Sequence, residues 1–156
     1  MRSAPLIRPG HDSDAPAFIA LIARCWADYP DCPLDVDTDA PELRALATYY
    51  GGRGGALWIA PSGTGMIATA PRTPTLWEIC RVYVHPDRHG SDLARQLLDL
   101  AERHALTAGA TTLCLWTDTR FHRAHAFYEK HGYTRLPDTR SPCAGVVEYG
   151  YEKFIG

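Results

Sequence analysis

The sequence lacks several features that are typical of other classes of protein. No run of about 18 apolar residues could span a bilayer, and residues 1–9 lack the apolar core of a signal peptide. Basic residues are not in excess, because 16 Lys and Arg are set against 18 Asp and Glu. This balance argues against a protein that binds nucleic acid through phosphate contacts. We therefore expect neither a membrane nor a nucleic acid among its partners.

The cysteines give no sign of a disulfide framework. There are five, an odd number, scattered along the chain and without a Cys-x-x-Cys spacing. Cys80 and Cys114 fall in predicted strands, where a thiol packs as a small apolar group. A reduced, cytoplasmic compartment is the simplest interpretation. The length of 156 residues suits one core and not two, so residues 1–156 are predicted to form a single domain.

The hydrophobic pattern predicts alternating strands and helices. Residues 41–50 and 121–130 have helical spacing, as do residues 17–25 and a longer stretch from Leu93 that Gly109 ends. Residues 28–42 and 137–145 are predicted to be irregular because proline, glycine and charge predominate there. The predicted strands are 6–8, 56–60, 66–70, 77–84, 111–117, 133–136 and 146–154.

The two commonest phosphate-binding loops, Gly-x-x-x-x-Gly-Lys-Ser/Thr and Gly-x-Gly-x-x-Gly, are both absent. The chain has another strand–turn–helix instead. Pro86 ends the strand at residues 77–84, and from Leu93 the apolar residues recur at steps of three and four. The polar turn between them contains Gly90. Unpaired N–H groups and the helix dipole at such a turn can hold a phosphate or pyrophosphate.

This turn resembles the acyl-CoA loop of the GNAT family of N-acetyltransferases. The family loop reads Arg/Gln-x-x-Gly-x-Gly/Ala after a strand that ends in Val-x-Pro, and the aligned residues here read His-Gly-Ser-Asp-Leu-Ala. His89 replaces Arg or Gln, and Ala94 is allowed. Asp92 replaces a glycine and brings a carboxylate to the pyrophosphate position. Either it binds the helix N–H groups in competition with phosphate, or it points outward with its charge offset by Arg88, His89 and Arg95.

A second segment, residues 121–133, resembles the family's other signature, Asn-x-x-Ala-x-x-Leu/Phe-Tyr-x-x-x-Gly-Phe/Tyr. The Asn position holds Phe121, so a hydrogen bond that Asn gives to the cofactor must come from elsewhere or be absent. The two signatures, in order around a predicted strand, cover residues 77–136, whereas the N-terminal half matches only by order of elements. Other stretches look like those of bacterial members of unknown substrate. The matching positions are Ala124, Phe127, Tyr128, Gly132 and Tyr133.

The resemblance implies an α/β (α+β) fold. Its central sheet would be mixed and mostly antiparallel, with six to seven strands, about four helices and a splayed parallel pair at the acyl-CoA site. Acetyl-CoA would be the co-substrate, and no metal is expected, because no carboxylate–cysteine set completes a site with His122 and His125. The predicted cofactor-binding residues are Val82, Tyr83 and Val84 along the strand and His89, Gly90, Ser91, Asp92, Leu93, Ala94 and Arg95 under the pyrophosphate.

Two side chains are candidates for catalysis. The resemblance assigns Tyr128 as the acid that protonates the leaving thiolate, and the alternative is a core tyrosine with one hydrogen bond. Glu78 is the candidate base, directly or through water, because a carboxylate between apolar neighbours has a raised pKa. The alternative for Glu78 is a solvent-facing strand residue. His85 could substitute for it, but a surface position beside Pro86 is expected.

The sequence feature that indicates the acceptor substrate is the segment of residues 28–42, which contains six acidic residues and no basic one. It forms either a solvated acidic loop or an electrostatic funnel for a cationic amine.

The predicted function is N-acetyl transfer from acetyl-CoA to a primary amine, on a small molecule or peptide, by direct attack in a ternary complex. The alternative, favoured by Asp92 and Phe121, is a non-catalytic acyl-CoA- or partner-binding protein. The aromatic final strand could pair across a homodimer. Four aromatic residues in or near residues 28–42 either line an acceptor pocket or pack against the rest of the protein: Trp26, Tyr29, Tyr49 and Tyr50.

Overall fold

The structure, a computed structural model, describes residues 6–29, 34–143 and 145–156. Seven strands form one sheet, and the helices lie on its two faces. The strands are β1 (Arg8–Pro9), β2 (Ala56–Ile59), β3 (Gly65–Pro71), β4 (Leu76–Val84), β5 (Thr112–Asp118), β6 (Thr134–Arg140) and β7 (Glu148–Phe154). The helices are α1 (Ala15–Trp26), α2 (Val36–Asp39), α3 (Leu46–Gly51), α4 (Leu93–Thr107) and α5 (His122–Lys130).

The sheet order is β1-β2-β3-β4-β5-β7-β6. Every neighbouring pair is antiparallel except β4 and β5, which are parallel and joined through α4. Parallel neighbours need such a crossover, because a short turn only reverses the chain. The prediction of a mixed, mostly antiparallel sheet with one parallel pair is therefore confirmed.

Two apolar cores cover the two faces of the sheet. The face under α4 and α5 buries Leu97, Leu98 and Ala101 against alternate residues of β5, Leu113 and Leu115. On the other face α1, α3 and the turn at Pro41–Ala45 pack on β2, β3 and β4. That second core includes Phe18, Leu21, Ile22, Leu43, Leu46, Tyr50, Leu57, Ile59 and Met66. Each fully buried Leu, Ile, Phe or Met contributes ~1.5–3 kcal/mol.

Two predicted boundaries are wrong. The helix predicted at residues 41–50 is two pieces, a 3-10 turn at Pro41–Ala45 and α3, because Ala45 leaves helical geometry with φ −150° and ψ 52°. The loop predicted from Pro137 begins too early, since β6 continues to Arg140. Pro137 fits there because β6 is an edge strand, where a missing backbone donor is tolerated.

The final strand cannot extend the sheet into a second copy of this fold. β7 pairs with β5 on one side and with β6 on the other, so both of its edges are occupied. Pairing through β7 was the route predicted for a homodimer, and the strand order is inconsistent with it. In the ranges that the structure describes, no helix is both long and apolar enough to cross a bilayer.

Candidate active site

The parallel strands β4 and β5 are joined only at their beginning. Past Glu78 no residue of β4 in the described chain has a register partner on β5. From there β4 stays with β3, and β5 stays with β7. The strands therefore diverge, and the backbone of β4 between residues 79 and 84 faces a gap. The register pairs are Leu76–Thr112, Trp77–Leu113 and Glu78–Cys114. The expected splayed pair is confirmed.

A β-bulge lies in β4 beside this gap. Met66 of β3 pairs with Tyr83, but Ala68 pairs with Cys80, so β4 carries one extra residue. Arg81 takes up the irregularity with φ +54°, a left-handed conformation that costs a non-glycine residue roughly 1–2 kcal/mol. Bulges of this kind bend a strand and re-aim its side chains and peptide groups. Nothing in the sequence indicated the bulge, because arginine is an ordinary strand residue.

The predicted cofactor strand, Val82, Tyr83 and Val84, borders the gap. Tyr83 and Val84 pair with β3 on one side only, and their other side is open. The carbonyl of Val84 accepts a hydrogen bond from the Cys25 thiol at 3.4 Å. The Tyr83 hydroxyl accepts one from the indole of Trp26 at 3.3 Å. Helix α1 thus holds this strand from the side opposite α4.

The turn between β4 and α4 has the free donors expected of an anion site. In the described chain the backbone N–H groups of Gly90, Asp92, Ala94 and Arg95 have no hydrogen-bond partner. Ser91 holds the turn, because its hydroxyl donates to the carbonyl of Arg88 at 2.6 Å. Gly90 has φ +82°, which favours glycine. Such N–H groups at the start of a 15-residue helix suit a phosphate oxygen.

The Asp92 carboxylate points away from these donors. It makes no capping hydrogen bond to α4, its side chain is 74% exposed, and its partner is Arg95 at 3.5 Å. Of the two alternatives left open by the sequence, the structure favours the outward one. The charge that a pyrophosphate would meet is then carried by backbone N–H groups and not by a carboxylate.

His89 and His85 lie on the same turn. His89 is exposed, and partial burial, followed by the charge of Arg123, lowers its pKa. It therefore stays neutral at pH 7 and does not replace the cation of the family's Arg. His85 accepts a hydrogen bond at Nδ1 from the Asp87 backbone N–H at 3.1 Å. That bond gives it a structural place at the end of the strand.

Tyr128 lies at the other border of the gap. It sits on α5, is 6% exposed, and packs edge-on against Tyr133 and at a tilt against Tyr151. In the described chain its hydroxyl has no hydrogen-bond partner, since the neighbouring Tyr133 and Tyr151 hydroxyls bond to glutamates. Burial raises its pKa, and the other groups that act on it are Tyr83 and Cys80, both on β4. The hydroxyl keeps its proton at neutral pH, and the side chain belongs to the apolar core that also contains Ile79 and Val82 of β4.

A comparison with protein families identifies the family to which the chain belongs. The model described as the Acetyltransferase (GNAT) family matches residues 15–133, which include the gap, the turn and α5. The chain belongs to the GNAT acetyltransferase family. No curated protein matches it at a significant level.

Solved structures share the fold of this acetyltransferase. An acetyltransferase from Streptococcus agalactiae has a TM-score of 0.85 at 19% identity, over 99% of this chain and 100% of that one. The yncA protein of Salmonella typhimurium, solved with acetyl-CoA, has a TM-score of 0.71 at 15% identity, over 99% and 95%. PaiA N-acetyltransferase from Thermoplasma acidophilum, in complex with coenzyme A, has a TM-score of 0.75 at 16% identity, over 98% and 100%.

In this acetyltransferase, Phe121 stands at the position of the family's Asn, and its ring packs against another aromatic ring. The ring of Phe121 lies 4.8 Å from the ring of Tyr29. This contact joins the segment after α1 to the start of α5 across the end of β5. Asp118, the last residue of β5, is buried and bound by Arg120 at 2.6 Å. The side chain of Phe121 therefore supplies packing in place of the hydrogen bond that an Asn side chain could give.

The histidines of α5 do not assemble a metal site in the described chain, where no group of three or more His, Cys, Asp or Glu is placed to hold one. The rings of His122 and His125 are 5.7 Å apart and edge-on. His125 is buried, and its Nε2 lies 2.9 Å from the carbonyl oxygen of Asp118. Burial lowers the pKa of His125, so the ring is neutral and packs between β5 and Tyr149.

Glu78 lies at the closed end of the gap. Its carboxylate is 16% exposed and pairs with Arg72 at 2.9 Å. The apolar surroundings suggested by its neighbours along the chain are therefore only part of its environment. The ion pair comes from the β3–β4 turn, which no strand pattern could reveal. A role for Glu78 as base stays a prediction.

The acidic segment carries less free charge than its sequence suggests. Three of its carboxylates pair with arginines from elsewhere: Asp28 with Arg24 at 3.3 Å, Asp37 with Arg44, and Glu42 with Arg81 at 2.6 Å. These partners lie outside residues 28–42, so counting charges within the segment missed them. The structure thus favours the solvated loop over the funnel. Asp31 and the side chain of Asp39 fall outside what the structure describes.

The aromatic residues near this segment separate into two groups. Tyr50 is 4% exposed and belongs to the core, and Tyr49 lies under Arg53, whose guanidinium is 3.7 Å from the ring centre. Trp26 and Tyr29 are half-buried next to the end of β4 and the start of α5. The second pair therefore borders the gap, whereas the first pair packs.

Sequence reasoning missed one cluster altogether. Trp116 on β5, Arg140 on β6 and Glu148 on β7 lie on the face of the sheet opposite α4 and α5, and none belongs to either apolar core. A signal was present in Gly150, because an isolated glycine inside a strand marks close approach. A Cβ there would lie 3.0 Å from the Trp116 ring.

Proposed function

We propose that this acetyltransferase moves the acetyl group of acetyl-CoA to a primary amine, on a small molecule or peptide, by direct attack while both substrates are bound. One observation carries the proposal. The protonated hydroxyl of Tyr128 has no hydrogen-bond partner in the described chain, and its side chain shares a core with Ile79 and Val82 of the unpaired stretch of β4. The turn that follows this strand has four free backbone N–H groups. An acyl-CoA needs both a phosphate site and a proton donor for its thiolate.

The turn and the strand would hold acetyl-CoA from its two ends. The backbone N–H groups between Gly90 and Arg95 suit the pyrophosphate, and no carboxylate points at them. The open side of Val82, Tyr83 and Val84 suits the amide groups of pantetheine, which would bind as a strand does. A planar chain with alternating amide groups fits a strand edge that has lost its neighbour.

In the proposed reaction, the amine nitrogen attacks the thioester carbonyl carbon, and the carbon–sulfur bond breaks. Tyr128 gives its proton to the leaving thiolate. Glu78, directly or through a water molecule, accepts the proton that the acceptor's ammonium group must lose before its nitrogen can attack. Because the Glu78 carboxylate is paired with Arg72, transfer through a water molecule is favoured, since the carboxylate then does not have to move to the amine. Removing the acid or the base of such a pair lowers a rate by ~10²–10⁴-fold.

The cysteines support direct attack over an acetylated enzyme. A nucleophilic cysteine must be a thiolate near pH 7. Burial raises the pKa of Cys80 to about 12 and those of Cys25 and Cys114 to about 11. These three thiols, the ones nearest the gap among the described cysteines, therefore keep their protons.

The test of this function measures thiol release from acetyl-CoA across a panel of amines, with mass spectrometry of the products and calorimetry of acetyl-CoA binding. We expect binding, and release that depends on at least one primary amine. Binding without release for a broad panel would favour the non-catalytic alternative. An absence of binding would contradict both. A cytoplasmic location in a bacterium is proposed from the sequence alone.

A further inference from the structure

The cluster formed by Trp116, Arg140 and Glu148 has no role in the mechanism above, yet it lies beside the gap. Trp116 belongs to the part of β5 that has left β4, two residues past the last paired position. Alternation along β5 puts its side chain on the face opposite Leu113 and Leu115. The acyl-CoA turn and α5 lie toward the other face. The cluster is therefore on the side from which an acceptor would approach.

The guanidinium of Arg140 is held from two directions. Its centre lies 4.5 Å from the ring centre of Trp116, and its Nε donates to Glu148 Oε1 at 2.7 Å. The ring in turn lies close to Gly150, its register partner on β7, where a Cβ would come within 3.0 Å of it. Because Trp116 belongs to β5, its contact with Arg140 places the guanidinium over that strand.

Most of the donors of Arg140 are unused. A guanidinium has five N–H groups in a rigid fork. Only Nε has a partner in the ranges that the structure describes, which leaves the four N–H groups on Nη1 and Nη2. The side chain is 39% exposed, so these groups are accessible. By contrast, Arg81 of β4 is 19% exposed and lies against Glu42.

We propose that Arg140 binds a carboxylate of the acceptor, so that the substrates are amines that also carry a free carboxylate, such as amino acids or peptides. This inference rests on the proposed N-acetyltransferase function. The fork at Nη1 and Nη2 matches the two oxygens of a carboxylate. Stacking on Trp116 and the bond to Glu148 fix the fork before the ligand arrives, which reduces the entropy lost on binding.

The charge of the segment after α1 is consistent with this acceptor. Three carboxylates of this segment, which would otherwise repel an anionic ligand, are paired with Arg24, Arg44 and Arg81. The other occupant of such a cluster would be a cation between Trp116 and Glu148. That place is already taken by Arg140, which a cationic ligand would have to displace.

The test compares acceptors in matched sets, each an amino acid with its primary amide and its decarboxylated amine. In the wild-type protein we expect kcat/KM to be about 10–100-fold higher for the carboxylate form, the usual effect of a charged hydrogen-bonded pair. Arg140→Gln should abolish this preference, mainly by raising KM, and leave the decarboxylated amine nearly unchanged. Equal rates in the wild type, or a preference that survives Arg140→Gln, would overturn the proposal.

The matched control is Arg135→Gln. Arg135 is also on β6, also lies over a ring, that of Tyr149 at 4.0 Å, and also pairs with a carboxylate, Glu129 at 3.5 Å. Its contacts are with α5 and Tyr151, on the other face. This variant should keep the wild-type preference. If both variants lost it equally, the effect would come from the stability of the hairpin and the inference would fail.

A binding measurement separates this inference from the proposed function. Calorimetry with coenzyme A present compares N-acetyl amino acids with the corresponding N-acetyl amines, for the wild type and Arg140→Gln. Tighter binding of the carboxylate form that requires Arg140 supports the site even where no amine is acetylated. Acetylation of amines without any carboxylate effect, in rate or in binding, supports the function and overturns the site.

Discussion

Glu78 of β4 and Cys114 of β5 are the last two residues at which these parallel strands remain in register. Past that pair each strand follows its other neighbour, and a gap crosses the sheet. One side of the gap faces α4, α5 and the side chain of Tyr128, and the other faces Trp116 and Arg140. A thioester in the gap would therefore be reached by a proton donor from one side and by an acceptor from the other.

Replacing Tyr128 with Phe should lower kcat by ~10²-fold or more while leaving acetyl-CoA affinity within about twofold. The ring contacts with Tyr133 and Tyr151 remain, and only the hydroxyl is lost. Steady-state kinetics and calorimetry give the two quantities. Tyr149→Phe is the control, because that ring is also packed against neighbours but belongs to β7 away from the gap. An unchanged kcat in Tyr128→Phe would reduce Tyr128 to a packing residue.

Replacing Asp92 with Gly should change acetyl-CoA affinity by less than about fivefold. If the carboxylate competed with phosphate for the helix N–H groups, its removal would tighten binding. In the structure the carboxylate is exposed and paired with Arg95, and exposed pairs contribute ~0–1 kcal/mol. Calorimetry at low and at physiological salt measures the effect. Tightening of more than tenfold at both would show that the carboxylate turns toward the bound phosphate.

The sequence predicted the parts of the site that depend on local pattern. A change from strand to helical period located the turn before α4. Tyr128 was assigned through the resemblance of residues 121–133 to the second signature of the family. The outward position of Asp92 was one of two alternatives, and only coordinates could choose between them. The predicted element boundaries were wrong where the backbone conformation of one residue, Ala45, interrupts a helix, and where an edge strand accommodates Pro137.

The rest depends on contacts between residues far apart in the chain. Arg81 lies on β4, yet its partner is Glu42. Trp116, Arg140 and Glu148 come from three strands, and no spacing connects them before the sheet order is known. Tyr29 meets Phe121 in the same way, 92 positions apart. The proposed acceptor side of the site could not be predicted from the sequence, because it is built from such long-range contacts.

The left-handed conformation of Arg81 should be measurable as a difference between two variants. Arg81→Gly and Arg81→Ala both remove the guanidinium that pairs with Glu42, but only glycine accepts φ +54° without strain. We expect the Gly variant to be more stable than the Ala variant by ~1 kcal/mol, or ~2–4 °C in Tm for a chain of this size. Thermal and denaturant unfolding measure this. Equal stability of the two variants would mean that the bulge relaxes once the arginine is gone.

The approach of Gly55 to β3 should make that position intolerant of a side chain. A Cβ on Gly55 would lie 2.2 Å from the carbonyl oxygen of Thr69, a backbone atom of a strand paired on both sides. Because the backbone has to move, Gly55→Ala should lower the free energy of unfolding by at least ~2 kcal/mol and Tm by ~4–8 °C. The control is Gly51→Ala at the end of α3, where a Cβ meets nothing within 4 Å. That variant should be neutral or slightly stabilising, because alanine is the better helix former. Similar effects of the two substitutions would contradict the close approach of the backbone at Gly55, and with it the start of β2 that places Trp58 and Ile59 in the sheet.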